Sequence, residues 1–331
     1  MLAWRRTGFS NLGVAAVLCS VGPSFGLELK LPIACEVGQT CFIQNYVDHD
    51  ASPGARDYKC ASETYDAHSG TDFRLPSMAQ QRAGVAVRAA ADGRVLRTRD
   101  GMDDVSVRTI GADQVKGREC GNGVIVQHAD GFESEYCHMA RGSVRVKPGD
   151  AVAAGEALGK VGLSGNTEFP HLHFTLRQGG KMVDPFAYGA PEGTCGGGTS
   201  LWDKTLAGEL AYRPIAILNA GFAKRPVSVQ DIEAGDAENA APDPDAESLV
   251  AYVRAIALRS GDVQRLTIID PNGNRFATYR AEPLDRDMAQ YTLVTGRKRP
   301  PEGWLRGVYR ATYTVEHNGD RRIEKTFELH L

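Results

Sequence analysis

The sequence predicts an all-β protein built as two β-domains in tandem, and three observations carry that prediction. Short apolar-polar alternating runs, parted by Asp-Gly, Gly-Gly and Asn-Gly turns, fill residues 85–188 and resume beyond residue 213. Between the two regions "CGGGTS", Cys195 to Ser200, has the composition of a flexible joint. The chain is 331 residues long, with 42% hydrophobic and 24% charged residues, which is enough for two ordinary globular cores.

The first 26 residues read as an export signal: a basic head at Arg5 and Arg6, an apolar run from Leu12 to Val21, and small residues at Ser24 and Gly26. That run falls well short of the ~20 residues needed to span a bilayer, so no transmembrane segment is expected once the signal is cleaved. Leu18 is bulky where a lipoprotein signal would carry a small residue before Cys19, and no hydrophobic residue follows the arginine pair as a twin-arginine signal would require. Loss of Cys19 leaves Cys35, Cys41, Cys60, Cys120, Cys137 and Cys195, an even set that suits disulfides in an exported, periplasmic or secreted protein. Cys35 with Cys41 is the preferred local pair. The formal charge of −3 and the absence of a basic tract exclude nucleic acid as a partner.

Residues 27–67 form a loop-rich lead-in held by three cysteines. Residues 68–195 form the first β-domain, in which Asp92-Gly93, Asp130-Gly131 and Gly179-Gly180 read as hairpin turns and a polar excursion interrupts residues 99–119. Residues 196–212 are expected to link it to a second domain at 213–331. There, about seven alternating runs, with "DPNGN" and "HNGD" turns, predict an immunoglobulin-like sandwich. The acidic stretch from Glu233 to Glu247 reads as a solvated loop.

Six of the eight histidines fall between residues 49 and 173. "PHLHFTLR" puts His171 and His173 on one face of a strand and sends Leu172 and Phe174 to the other. "YDAHSGTDF" holds His68 and Asp72 around Gly70, which lets the chain bend so that both reach one ion. With His173 they make an N,N,O ligand set that leaves one position open, as catalytic zinc sites require. His128, beside an "ADG" turn, and His317 and His330 read as surface histidines. Asp48, His49 and Asp50 read as a solvated loop, the alternative being a group that reaches into the groove. Cys137 precedes His138 on a strand and is expected to face away from it, as a disulfide or core residue, with Cys120 its plausible partner. "VKPGDAVAAGEALGKVG" resembles the hammerhead of biotinyl and lipoyl carriers, but no modifiable lysine tripeptide accompanies it.

"HSGTD", "EYCHM" and "PHLHF", in that order, with "GNGVIVQHADG" and "VKPGDAVAAGEALGKVG" between them, resemble the LytM/lysostaphin-type zinc metallopeptidases over roughly residues 68–188. The resemblance implies a LytM-type β-sheet peptidase domain and one Zn2+ per chain, with His68, Asp72 and His173 as metal ligands and His138 and His171 as catalytic histidines sharing base and oxyanion duties. It implies cleavage of peptidoglycan peptide stems, with the D-alanyl bond to meso-diaminopimelate favoured over glycine bridges. Some proteins with such domains are inactive regulators that bind a cell-wall amidase. They lack ligands, whereas all five matching groups are present here. The second domain offers no ligand cluster or nucleophile, so a binding role toward wall polymer or a protein partner is expected.

Overall fold

The computed structural model describes residues 26–238 and 241–331. The expected export signal therefore lies outside the described residues, apart from Gly26. In chain order the elements are β1 (Phe42–Asn45), β2 (Thr71–Arg74), α1 (Met78–Ala83), β3 (Ala86–Arg88), β4 (Gly93–Arg99), α2 (Val107–Ile110), β5 (Asn122–Gln127), β6 (Phe132–Met139), β7 (Ala151–Val152), β8 (Ala157–Lys160), β9 (His171–Gln178) and β10 (Lys181–Val183). The second domain contributes β11 (Ala216–Ala223), α3 (Val229–Ala234), β12 (Ser248–Leu258), β13 (Val263–Ile269), β14 (Arg275–Arg280), β15 (Met288–Lys298), β16 (Val308–His317) and β17 (Asp320–His330).

The first domain is one antiparallel sheet in the order β1-β2-β9-β6-β5-β4-β7, with β10 added to the far half of β9 and a small β3-β8 sheet beside it. Strand alternation builds its two faces. Phe132, Ser134 and Tyr136 on β6 and Leu172, Phe174 and Leu176 on β9 are buried together with Val95, Val124 and Val126. Each large apolar side chain so buried contributes roughly 1.5–3 kcal/mol. The opposite face carries the polar residues, the usual division for an antiparallel sheet with one covered side.

Asp130-Gly131 and Gly179-Gly180 do turn hairpins, β5–β6 and β9–β10. Asp92-Gly93 does not: β3 pairs with β8, and the chain crosses here to a different sheet. A Cβ at Gly93 would lie 2.4 Å from the Gln127 carbonyl oxygen, so glycine serves close approach rather than a two-residue turn.

The lead-in is more than loop. It supplies the edge strand β1 and packs Tyr46 and Tyr58 into an aromatic cluster with Phe186 and Tyr212. The stretch expected to be a linker also packs, since Trp202 and Leu210 belong to the first domain's core. The disulfides are Cys35–Cys41, Cys120–Cys137 and Cys60–Cys195, the last tying the lead-in to "CGGGTS". Beyond it, β11-β12-β15 packs against β14-β13-β16-β17 around Leu249, Val253, Leu266, Ile268, Leu293 and Tyr313, an immunoglobulin-like sandwich. Among the described residues no helix is long and apolar enough to cross a membrane, which leaves membrane-spanning strands unaddressed.

Candidate metal centre

The register of two neighbouring strands creates the centre. β2 pairs with β9 so that Asp72 stands opposite His173 and Arg74 opposite His171, which puts all four on the polar face of the sheet. His68 precedes β2 and reaches the same spot. Gly70 permits this approach: a Cβ there would lie 2.6 Å from the Phe174 carbonyl oxygen and 2.7 Å from His173 Nε2.

His68 Nε2 lies 3.2 Å from His173 Nδ1 and 3.3 Å from Asp72 Oδ2, and His173 Nδ1 lies 2.8 Å from Asp72 Oδ1. Zn–N bonds of ~2.0–2.1 Å at tetrahedral angles separate neighbouring donors by about 3.3 Å, so this spacing fits one zinc ion. The outer partners fit as well, because a ligating imidazole normally gives its second N–H to an oxygen. The Tyr46 carbonyl is 2.6 Å from His68 Nδ1 and the Thr175 hydroxyl 3.0 Å from His173 Nε2. Asn45 Nδ2 donates to Asp72 Oδ2 at 2.8 Å. Two nitrogens and a carboxylate, each oriented from behind, form a donor set suited to Zn2+.

Burial works against the Asp72 charge, but the His68 and His171 rings, with hydrogen bonds from His171 and His173, outweigh it and hold the carboxyl well below its usual range. Burial alone would lower the His68 imidazole, yet the Asp72 carboxylate and the Tyr46 carbonyl reverse the direction and raise it. His173 is lowered by burial, partly offset by Asp72.

His138 and His171 stand beside this group with ring centroids 4.6 Å apart, and His171 Nε2 is 3.3 Å from Asp72 Oδ1. His138 Nδ1 lies 2.7 Å from the Ser164 carbonyl, and burial, reinforced by the His171 and His173 rings, pushes its imidazole well below the ordinary histidine range. Its backbone has φ +61°, a left-handed conformation that breaks strand alternation. The expectation that Cys137 faces away from His138 fails for that reason: both line the same cavity of about 230 Å3, with Tyr65, Glu119, Glu135 and His173. The expected Cys120–Cys137 bridge does form, so neither sulfur is free to ligate an ion.

Other readings are corrected. His128 is buried, bracketed by the Asp92 carbonyl at 2.8 Å and Ser134 Oγ at 2.6 Å, and burial lowers its imidazole. His317 is half-buried against Asp262, whereas His330 is exposed. Asp48, His49 and Asp50 do not reach the ligand group. His49 Nε2 meets Asp184 at 2.7 Å, and Asp48 accepts backbone N–H groups of Asp50, Arg56 and Ala67. These residues border a larger cleft of about 600 Å3 that touches His68 but neither His138 nor His173. Glu233 is an interdomain ion-pair residue rather than part of a solvated loop.

Sequence reasoning missed Asn45, Tyr46, Tyr65, Thr175 and Arg74. Alternation along β2 and β9 could have marked Arg74 and Thr175, which share the face of Asp72 and His173. No local pattern distinguishes Asn45, which enters from the lead-in.

The polar face of this sheet gathers two imidazoles, a carboxylate and two further histidines, a set of groups suited to metal-assisted chemistry. Residues 66–185 match the model of peptidase family M23, the LytM-type family that the sequence motifs resemble. The DD-carboxypeptidase/endopeptidase Mpg of Neisseria meningitidis is 32% identical over 135 residues, covering 39% of this chain and 24% of that protein. The peptidoglycan DD-endopeptidase ShyA of Vibrio cholerae is 29% identical over 124 residues, 38% of this chain and 23% of its own. This chain thus spans about a quarter of the length of the curated relatives it matches. Among solved structures, a catalytic-domain variant of the M23 protein EnpA from Enterococcus faecalis is 28% identical. It matches over 44% of this chain and 98% of that one, with a TM-score of 0.30.

Proposed function

We propose that this protein is an exported, periplasmic zinc endopeptidase that hydrolyses peptide cross-links of bacterial peptidoglycan, at the D-alanyl bond to meso-diaminopimelate. The observation that carries the proposal is the convergence of His68, Asp72 and His173 at donor-atom separations of 2.8–3.3 Å, with His138 and His171 alongside. The three disulfides agree with export.

His68, Asp72 and His173 would hold the ion. When bound there, zinc supplies polarisation of the scissile carbonyl and acidification of water. The remaining work belongs to side chains. The Ser164 carbonyl accepts the His138 Nδ1–H, which leaves Nε2 with its lone pair, and burial keeps that ring neutral. His138 is thereby suited to take a proton from the attacking water. His171 gives its Nδ1–H to the Phe169 carbonyl at 3.0 Å and turns Nε2 toward Asp72 Oδ1, 3.3 Å away. Placed there, an N–H at Nε2 would donate to the oxyanion that develops on the scissile carbonyl. Tyr65, its ring 4.4 Å from that of His68, and Glu119 border the cavity the peptide enters.

The test is muropeptide analysis of sacculi digested by wild-type and His173→Ala protein. Loss of cross-linked dimers with the wild type only, and a matching rise in uncross-linked stems, supports the proposal. Unchanged muropeptides with zinc-loaded wild type would point instead to a regulator acting through a cell-wall amidase.

A further inference from the structure

Beside the catalytic histidines lies a charged cluster that the proposed chemistry does not use. Arg74 has its side chain 1% exposed on the same sheet face as Asp72. Its guanidinium lies 4.0 Å from the centroid of the Phe169 ring and donates to Gln44 Oε1 at 2.7 Å. Its other partners come from the second domain: Glu233 Oε2 on α3 at 3.1 Å and Gln290 Oε1 on β15 at 3.0 Å. Arg254 of β12 crosses the same boundary, donating to Glu233 and to the Pro76 carbonyl, while its Nε donates to Asn219 at 2.9 Å. One carboxylate thus holds two buried guanidinium groups, one from each domain.

Phe169 also touches the catalytic group. Its ring is 4.9 Å from that of His171, and its carbonyl accepts from both His171 Nδ1 and Thr167 Oγ1. Next to it, Leu75 N donates to the Pro170 carbonyl at 2.9 Å, fastening this loop to the end of β2. The path from Glu233 to Arg74, Phe169 and His171 is continuous van der Waals and hydrogen-bond contact.

We propose that the second domain is a working part of the active site: Glu233, with Gln290, holds the Arg74 guanidinium against the Phe169 ring and so fixes the position of the His171 ring. This deepens the endopeptidase reading and rests on it. Glu233 is a positioning residue, since it touches neither substrate nor the metal ligands. Removing its charge leaves the buried Arg74 and Arg254 without the carboxylate that pairs with both. Arg74 then withdraws from Phe169, and a His171 ring that moves by about 1 Å costs up to roughly 100-fold in rate.

The experiment uses the full-length zinc-loaded protein, a cross-linked dimer muropeptide, and Glu233→Gln, Phe169→Leu and the double variant, with exposed Arg280→Gln as control. Glu233→Gln is expected to lower kcat roughly 10- to 100-fold while KM and zinc content stay within about twofold. The double variant is expected to be no worse than the more affected single variant, because both act through one stack. Multiplicative effects, or wild-type kcat in Glu233→Gln, overturn the proposal. A readout free of turnover separates this outcome from failure of the endopeptidase reading. The NMR signals of the His171 ring should shift in Glu233→Gln and stay in place in Arg280→Gln. Unmoved signals overturn the proposal even in a protein without hydrolytic activity, and shifted signals sustain the positioning role in that same case.

Discussion

The hydrogen bond from Asn45 to Asp72 joins the lead-in to the candidate metal centre, and replacing Asn45 with alanine measures its worth. Asn45 Nδ2 donates to Asp72 Oδ2 at 2.8 Å, and Asp72 is itself only 2% exposed, so no water replaces the lost donor freely. Hydrogen bonds to charged groups contribute about 1.5–3 kcal/mol. Outer-shell substitutions at metal sites cost about 10- to 100-fold in affinity. At about 1.4 kcal/mol per tenfold the two figures coincide. Asn45→Ala should therefore weaken zinc binding by about 10- to 100-fold, measured by competition with a chromogenic chelator. Activity should return to within about threefold of wild type once zinc is raised to saturation, because the ligands themselves are intact. An affinity within twofold of wild type would refute the reasoning. So would a loss of activity that saturating zinc does not restore.

Three further outcomes follow from buried groups. Burial raises the Glu63 carboxyl to about 7, with the nearby Tyr212 hydroxyl and Arg259 pulling the other way. A raised folded-state pKa contributes stability below the unfolded value, near 4.5, that is lost as pH rises through about 7. Glu63→Gln should accordingly gain on the wild type by up to about 3 kcal/mol between pH 5 and pH 8 in denaturant unfolding, and a constant difference across that range contradicts it. The Cys120→Ser, Cys137→Ser variant removes a bridge of sequence separation 17 and should lose roughly 3 kcal/mol of stability. It should also lose activity at saturating zinc, because His138 N donates to the Cys120 carbonyl and the strained His138 backbone depends on that neighbour. Tyr136→Phe takes the acceptor from the buried Ala90 N–H, 2.7 Å from the tyrosine oxygen, and should cost about 1–3 kcal/mol by thermal unfolding with zinc affinity unchanged.

The convergence of the candidate ligands was legible because strand alternation and short spacing are local properties. His171 and His173 share a face, Leu172 and Phe174 are fully buried behind them, and His68 and Asp72 bracket Gly70 closely enough to meet one point. The strands of the second domain were legible for the same reason, each run being alternating and bounded by turn residues. What stayed hidden depends on long-range packing or on departures from ideal backbone. His138 and Cys137 share a cavity only because φ at His138 is +61°, which no residue type there announces. Asp92-Gly93 has hairpin composition but serves a crossover, since the backbone of β5 passes too close for any Cβ at Gly93. His128 reads as a turn residue, yet its ring bridges a backbone carbonyl and Ser134 inside the fold. Glu233 reads as one acid in an acidic loop, and its two arginine partners stand 159 and 21 residues away.

The most direct test of the central claim is hydrolysis of a purified D-alanyl–meso-diaminopimelate dimer muropeptide by chelator-stripped protein titrated with Zn2+, the products followed by mass spectrometry. The account predicts that monomer stems appear in proportion to added zinc up to one equivalent, and that His138→Ala binds the same equivalent yet releases almost none. Protein that binds one equivalent of zinc and leaves the dimer intact would contradict it.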